Sequence, residues 1–154
     1  MGHSFGAATA VATGHFDKRF SAVVALDTSF MPIHDEIYTP SQPVLLHQGQ
    51  TYAERPANYS RKLALFNRLP NHDSKLITLK RAAHLNYCDM AWLSPFVLKL
   101  IGEVGSVDSL EALSNINGHV LAFLQQHFHL SLSSTVKPLE QLVDNDAISI
   151  LSRM

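Results

Sequence analysis

Cysteine is nearly absent. Cys88 stands alone among 154 residues, which excludes an intrachain disulfide and leaves the redox compartment open. Charge is sparse and balanced: 16% of residues are Asp, Glu, Lys or Arg, and the formal net charge is −1. With no basic block, neither a nucleic-acid footprint nor a polybasic membrane patch is expected. No apolar run approaches the roughly 18 residues of a spanning helix. The first residues lack the charged head and apolar stretch of a signal peptide. Met1-Gly2 begins like an N-myristoylation signal, but that signal wants Ser or Thr at the sixth position, where Gly6 stands. Nine histidines are scattered without zinc-protease spacing. His127 and His129 are spaced as a weak metal pair, which exposed helix-end residues explain, so no metal and no cofactor is expected. With 46% hydrophobic content, a single soluble globular domain, or a piece of one, is what remains.

What is present begins at once. Gly2, Ser4 and Gly6 complete the spacing G-x-S-x-G, the nucleophile elbow of α/β-hydrolases. A serine on a sharp strand-to-helix turn is strained, and side chains two positions either side are expected to collide; glycine removes the collision. The turn lifts the Ser4 hydroxyl above the sheet edge, and the following helix aims its first N–H groups at developing negative charge. An elbow serine needs a strand before it, and the residues preceding Ser4 are expected to leave room for none.

Phe5 to Thr13 is rich in small residues, as a helix lying close on a sheet requires, and Gly14 is expected to stop it. Phe20 to Leu26 is apolar throughout, which suggests a parallel strand buried on both faces, with Asp27 at its carboxyl end. Thr28 to Gln42 reads as a loop, Pro43 to Gln48 as a strand, and Pro56 to Leu69 as an amphipathic helix facing inward through Leu63, Leu65, Phe66 and Leu69. Lys75 to Lys80 alternates and is expected at a sheet edge, with His84 in a loop just beyond. Met90 to Val104 is an apolar helix. A last helix, capped by Ser106 or Asp108, carries Leu110, Leu113, Val120, Leu121, Leu124 and Phe128 near the 3.6-residue period. The chain thus divides into a partial catalytic domain over 1–130 and a loosely held tail over 131–154. Strands alternating with helices imply an α/β fold: about three parallel strands flanked by helices, the carboxyl-terminal half of an α/β-hydrolase.

A serine hydroxyl is a poor nucleophile near neutral pH. It needs a base, and the base needs a partner to fix its tautomer. In α/β-hydrolases these follow in the order Ser, Asp or Glu, His. Ser4, Asp27 and His84 have that order, and each falls at or just past the carboxyl end of a strand, so all three can meet on one rim.

Gly2-His3-Ser4-Phe5-Gly6-Ala7-Ala8-Thr9-Ala10, Ala25-Leu26-Asp27 with Met31-Pro32, Gln42-Pro43, and His84-Leu85-Asn86-Tyr87 with Asp89 resemble the platelet-activating factor acetylhydrolase family. Leu113-Ser114-Asn115 and Ala122-Phe123-Leu124-Gln125 with His127 are similar too. The resemblance implies a calcium-independent phospholipase A2 that hydrolyses the short or oxidised sn-2 acyl ester of 1-alkyl-2-acetyl-glycerophosphocholine and related phospholipids. It implies Ser4 as nucleophile, His84 as general base and then acid, Asp27 as its orienter, and the Phe5 backbone N–H as an oxyanion donor. Ala7 stands where the family has a second glycine, and Ser29 where it has a tryptophan lining the site. The helix from Met90 has two readings: core packing, or a lipid-facing surface through Trp92 and Phe96 that would seat the protein on a lipoprotein or membrane.

The upstream strands and the loop carrying the second oxyanion donor are expected to be missing, as in a truncated form. Three functions compete: a phospholipid acyl esterase of this family, another α/β-hydrolase carboxylesterase, and a catalytically inactive fragment.

Overall fold

The computed structural model describes residues 1–29, 38–53, 56–93, 98, 103–128 and 148–152. In chain order the elements are β1 (Gly2–His3), α1 (Phe5–Phe16), β2 (Val23–Leu26), β3 (Val44–Gly49), α2 (Gln50–Ala53), α3 (Pro56–Arg68), β4 (Lys75–Leu79), a 3₁₀ turn (His84–Tyr87), α4 (Met90–Leu93), α5 (Ser109–Phe128) and β5 (Ile148–Ser152). They build one sheet of order β1-β2-β3-β4-β5. The first four strands run parallel and the fifth is antiparallel to β4.

Period-2 geometry splits each central strand between two buried faces. Val23, Ala25, Val44, Leu46 and Leu76 meet Ala7 and Val11 of α1 and Leu65 and Phe66 of α3, with Leu69 just beyond that helix. Val24, Leu26, Leu45, Ile77 and Leu79 meet Ala112, Ile116, Ala122 and Phe123 of α5. Both faces are dry, which is why β2 reads as an unbroken apolar run. Only Val23–Leu26 of the expected Phe20–Leu26 strand is extended in the sheet, and Phe20 is half exposed.

Several expectations need correction. A strand does precede Ser4: two residues suffice, because Gly2 and His3 pair beside Ala25 and Leu26. The strand expected at an edge is internal, since β5 pairs along its whole length from Lys75↔Ser152 to Leu79↔Ile148. That pairing also gives Ile148–Ser152 of the expected tail a defined place. Gly14 does not stop α1. It lies inside the helix, where a Cβ would sit 2.5 Å from Val23 Cγ2, so glycine there permits close helix–sheet approach. The helix ends two residues later at Phe16, with the Asp17 N–H donating to Thr13 O.

In α3, Leu65 and Phe66 are buried as expected, but so is Lys62, while Leu63 is only partly covered. In α5 the inward stripe is Ala112, Ile116, His119 and Phe123. Of the expected stripe, Val120 and Leu124 pack against this buried cluster, whereas Leu110 and Phe128 at the two ends of the helix are exposed. Asp108, not Ser106, caps it: Asp108 Oδ1 accepts from Leu110 N and Glu111 N at 3.0 Å each. Of the expected Met90–Val104 helix, Met90–Leu93 is helical as α4, and most of the remainder, with Phe96, lies outside the described residues.

Candidate active site

Ser4 joins β1 to α1 at φ 57° and ψ −119°, a region a non-glycine residue occupies at a cost of about 1–3 kcal/mol. Backbone bonds hold it there. Ser4 N donates to Leu26 O at 2.9 Å, and Ser4 O accepts from Ala7 N and Ser29 N, both at 3.2 Å. The hydroxyl makes no helix-capping bond, so Oγ is available to another partner. Of the two flanking glycines, only Gly2 is forced by contact: a Cβ there would overlap the backbone carbonyl of Gly6, whereas one on Gly6 would meet open space. The symmetric steric reading of the motif therefore holds on one side.

Asp27 follows β2 directly, also at positive φ (41°), and is fully buried. Its N–H donates to His47 O at 2.7 Å, which ties the turn to β3, and Gly49 N donates to its Oδ1 at 3.0 Å. His84 opens the 3₁₀ turn after β4. Its Nδ1 lies 2.7 Å from Asp27 Oδ2 and its Nε2 lies 2.9 Å from Ser4 Oγ. The three residues selected from sequence thus form one hydrogen-bonded line across the carboxyl ends of three parallel strands. The approach to His84 is held tightly as well. Asn86 Oδ1 accepts from Ala83 N at 2.8 Å and Gly105 N at 2.9 Å.

Around this line lie groups that composition and spacing did not single out. The His3 ring packs 4.7 Å from that of His84 and stacks on Tyr87 at 5.9 Å. Burial, then the neighbouring His84, holds His3 below the ordinary histidine range. Tyr87 Oη shares a 2.8 Å hydrogen bond with His47 Nδ1, and His47 Nε2 a 3.0 Å bond with His119 Nδ1. Burial, then His119, then Lys62 pushes His47 well below 6.5. Burial and the Asp27 charge push Tyr87 well above 10.0. A buried histidine on a strand, β3, and another on an apolar helix were the available signals, but polar residues at such positions reveal no partner until the fold pairs them.

Trp92 and Leu93 are exposed at 62% and 71%. Among the described residues no cluster of three metal-ligating side chains occurs. A cavity of about 230 Å³ lined by Met1, Gly6, Thr9, Ala10, Phe20 and Val23, among others, lies at the α1–β2 edge and touches none of Ser4, Asp27 or His84. No helix among the described residues is long and apolar enough to cross a membrane.

A parallel sheet clothed by helices on both faces, with a strained serine between strand and helix, defines an α/β-hydrolase. A ferulic acid esterase from Streptomyces cinnamoneus has the same fold, with a TM-score of 0.76 over 98% of this chain and 45% of that one, at 19% identity. The sequence profile of "Platelet-activating factor acetylhydrolase, isoform II" matches residues 1–147, and the chain belongs to that family. The platelet-activating factor acetylhydrolase of Bos taurus is 36% identical over 135 residues, covering 84% of this chain and 29% of that protein. That of Gallus gallus is 31% identical over 157 aligned positions, covering 99% of this chain and 36% of that protein. The chain therefore spans about a third of the length of these curated relatives.

Proposed function

We propose that this chain carries the serine, histidine and aspartate of an esterase that hydrolyses the short sn-2 acyl ester of platelet-activating factor and related phospholipids. The observation that carries the proposal is the Ser4 Oγ–His84 Nε2–Asp27 relay, with its 2.9 and 2.7 Å links, in a member of this family. In the first half-reaction His84 Nε2 takes the Ser4 proton as Oγ attacks the ester carbonyl, and the carbonyl electron pair moves onto oxygen. The Phe5 N–H, first in α1, is the donor for that oxyanion. Collapse expels the lysophospholipid alkoxide, which takes the proton from His84. A water then repeats the sequence, releasing the short acid and restoring Ser4. Asp27 keeps Nδ1 protonated and stabilises the imidazolium.

The lipid-surface reading belongs to the same proposal through Trp92, and Leu93 beside it joins it here: both are exposed on α4 close behind the His84 turn and suited to dip into a headgroup layer. A fluorophosphonate probe should label Ser4, and Ser4→Ala should lose the label. An ester panel varying sn-2 chain length and head group then separates a phospholipid esterase from a general carboxylesterase. Absence of labelling in the folded chain would instead support an inactive fragment.

A further inference from the structure

Lys62 is the largest of the fully buried side chains, at 1% exposure, on a helix whose other inward residues are apolar. Lysine is almost never buried to that degree unless paired. Its Nζ lies 3.7 Å from Asp27 Oδ1, and both side chains are at most 2% exposed. The two carboxylate oxygens therefore have different neighbours: His84 Nδ1 at Oδ2, and the Gly49 N–H with the Lys62 ammonium at Oδ1.

We propose that Lys62 is a positioning residue for the acyl-transfer reaction, its ammonium keeping Asp27 ionised and aimed while opposing premature protonation of His84. This rests on the hydrolase reading above. The argument is one of charge balance in a site with little water. A buried carboxylate without a cation relieves its desolvation by drawing in a proton. The nearest acceptor is His84 Nε2, and a protonated Nε2 cannot receive the Ser4 proton. With Lys62 in place the carboxylate is already balanced, which leaves Nε2 open to the Ser4 proton. The other titratable groups facing this pair do not supply that balance. His3 from β1 and His47 from β3 are held toward their neutral forms by burial, and so is Tyr87 on the same 3₁₀ turn. His119 on α5 lies behind His47. Burial lowers Lys62 itself, and Asp27 opposes that by favouring its charged form.

The test compares wild type, Lys62→Met and Lys62→Arg in the full chain. It follows the pH dependence of fluorophosphonate labelling and, separately, the ring-nitrogen NMR titration of His84. Lys62→Met should move the acid midpoint of both profiles upward by roughly 0.5–1 pH unit. Lys62→Arg, which keeps the charge, should stay near wild type. Unmoved midpoints in Lys62→Met, or an arginine variant that follows methionine, overturn the proposal. The NMR arm needs no turnover. If wild type does not label but the His84 titration moves, the hydrolase reading fails and the charge role stands. If Lys62→Met does not fold, Lys62→Met/Asp27→Asn should, because the orphaned carboxylate is gone; a double variant that also fails to fold overturns the pairing.

Discussion

The backbone carbonyl of Gly6 fills the space that a Cβ on Gly2 would need, while Gly6 itself faces open space. The two glycines of one motif therefore differ in kind. Gly2→Ala should force the elbow apart and lower stability by about 1–3 kcal/mol. Gly6→Ala, inside the first turn of α1, should be neutral or stabilise by up to about 1 kcal/mol. Denaturant unfolding of the two variants checks this, and equal losses would contradict it.

Replacing members of the Ser4–His84–Asp27 line should grade the loss of ester hydrolysis. Ser4→Ala should lower turnover by about 10⁴–10⁶-fold and abolish labelling. Asp27→Asn should cost about 10⁴-fold, because it releases the His84 tautomer. Steady-state kinetics on an sn-2 acetyl phospholipid reads both.

Stability should fall on both sides of neutrality. His47 and His3 are depressed in the folded state, so the unfolded chain binds more protons once the pH drops below about 6.5. Stability from these histidines is complete above that value and is lost as pH falls beneath it, at up to ~1.4 kcal/mol per pH unit per group. Tyr87 is raised, so its contribution is complete below about 10 and is lost as pH climbs beyond. Thermal unfolding followed from about pH 4 to about pH 11 should trace a plateau with two shoulders. His47→Leu should flatten the acid one.

Tyr87→Phe removes the hydroxyl that meets His47 Nδ1 and leaves a buried ring nitrogen without that partner. The cost should be about 1–3 kcal/mol. Adding His47→Leu should recover part of it, since deleting both partners is cheaper than deleting one. Additive losses in a double-mutant cycle would show that the bond carries no coupling.

Liposome partitioning of Trp92→Ala/Leu93→Ala should weaken by about tenfold or more, from the loss of two apolar side chains at 25 cal/mol per Å². Hydrolysis of a soluble ester should be unchanged. Unaltered partitioning would return α4 to a purely packing role.

Much of the architecture follows from local pattern. The apolar runs before Asp27 and Gly49 are strands because residues buried on both faces leave no alternation to read any other way. The order of Ser4, Asp27 and His84 pointed to a common rim, and their atoms do lie within hydrogen-bonding distance. Other features were not legible. β1 is two residues long and exists only because Ala25 and Leu26 offer it a ladder. β5 likewise exists through β4, at the far end of the chain. The inward face of α5 is only partly legible in the sequence: Val120 and Leu124 of the periodic stripe pack against the core, but contact with the sheet buries Ala112 and Phe123 and leaves Leu110 and Phe128 exposed.

The sequence by itself determined the alternation of strands and helices, the glycine-flanked serine and the order of the three polar residues, since each depends on neighbours a few positions away. Tertiary structure alone decided the rest. Lys62 was set beside Asp27, and His47 between Tyr87 and His119, by packing elements far apart in the chain. The physical reason is that burial turns a polar side chain from a solvated group into one that must find a partner, and the partner's identity depends on which surfaces the fold brings together.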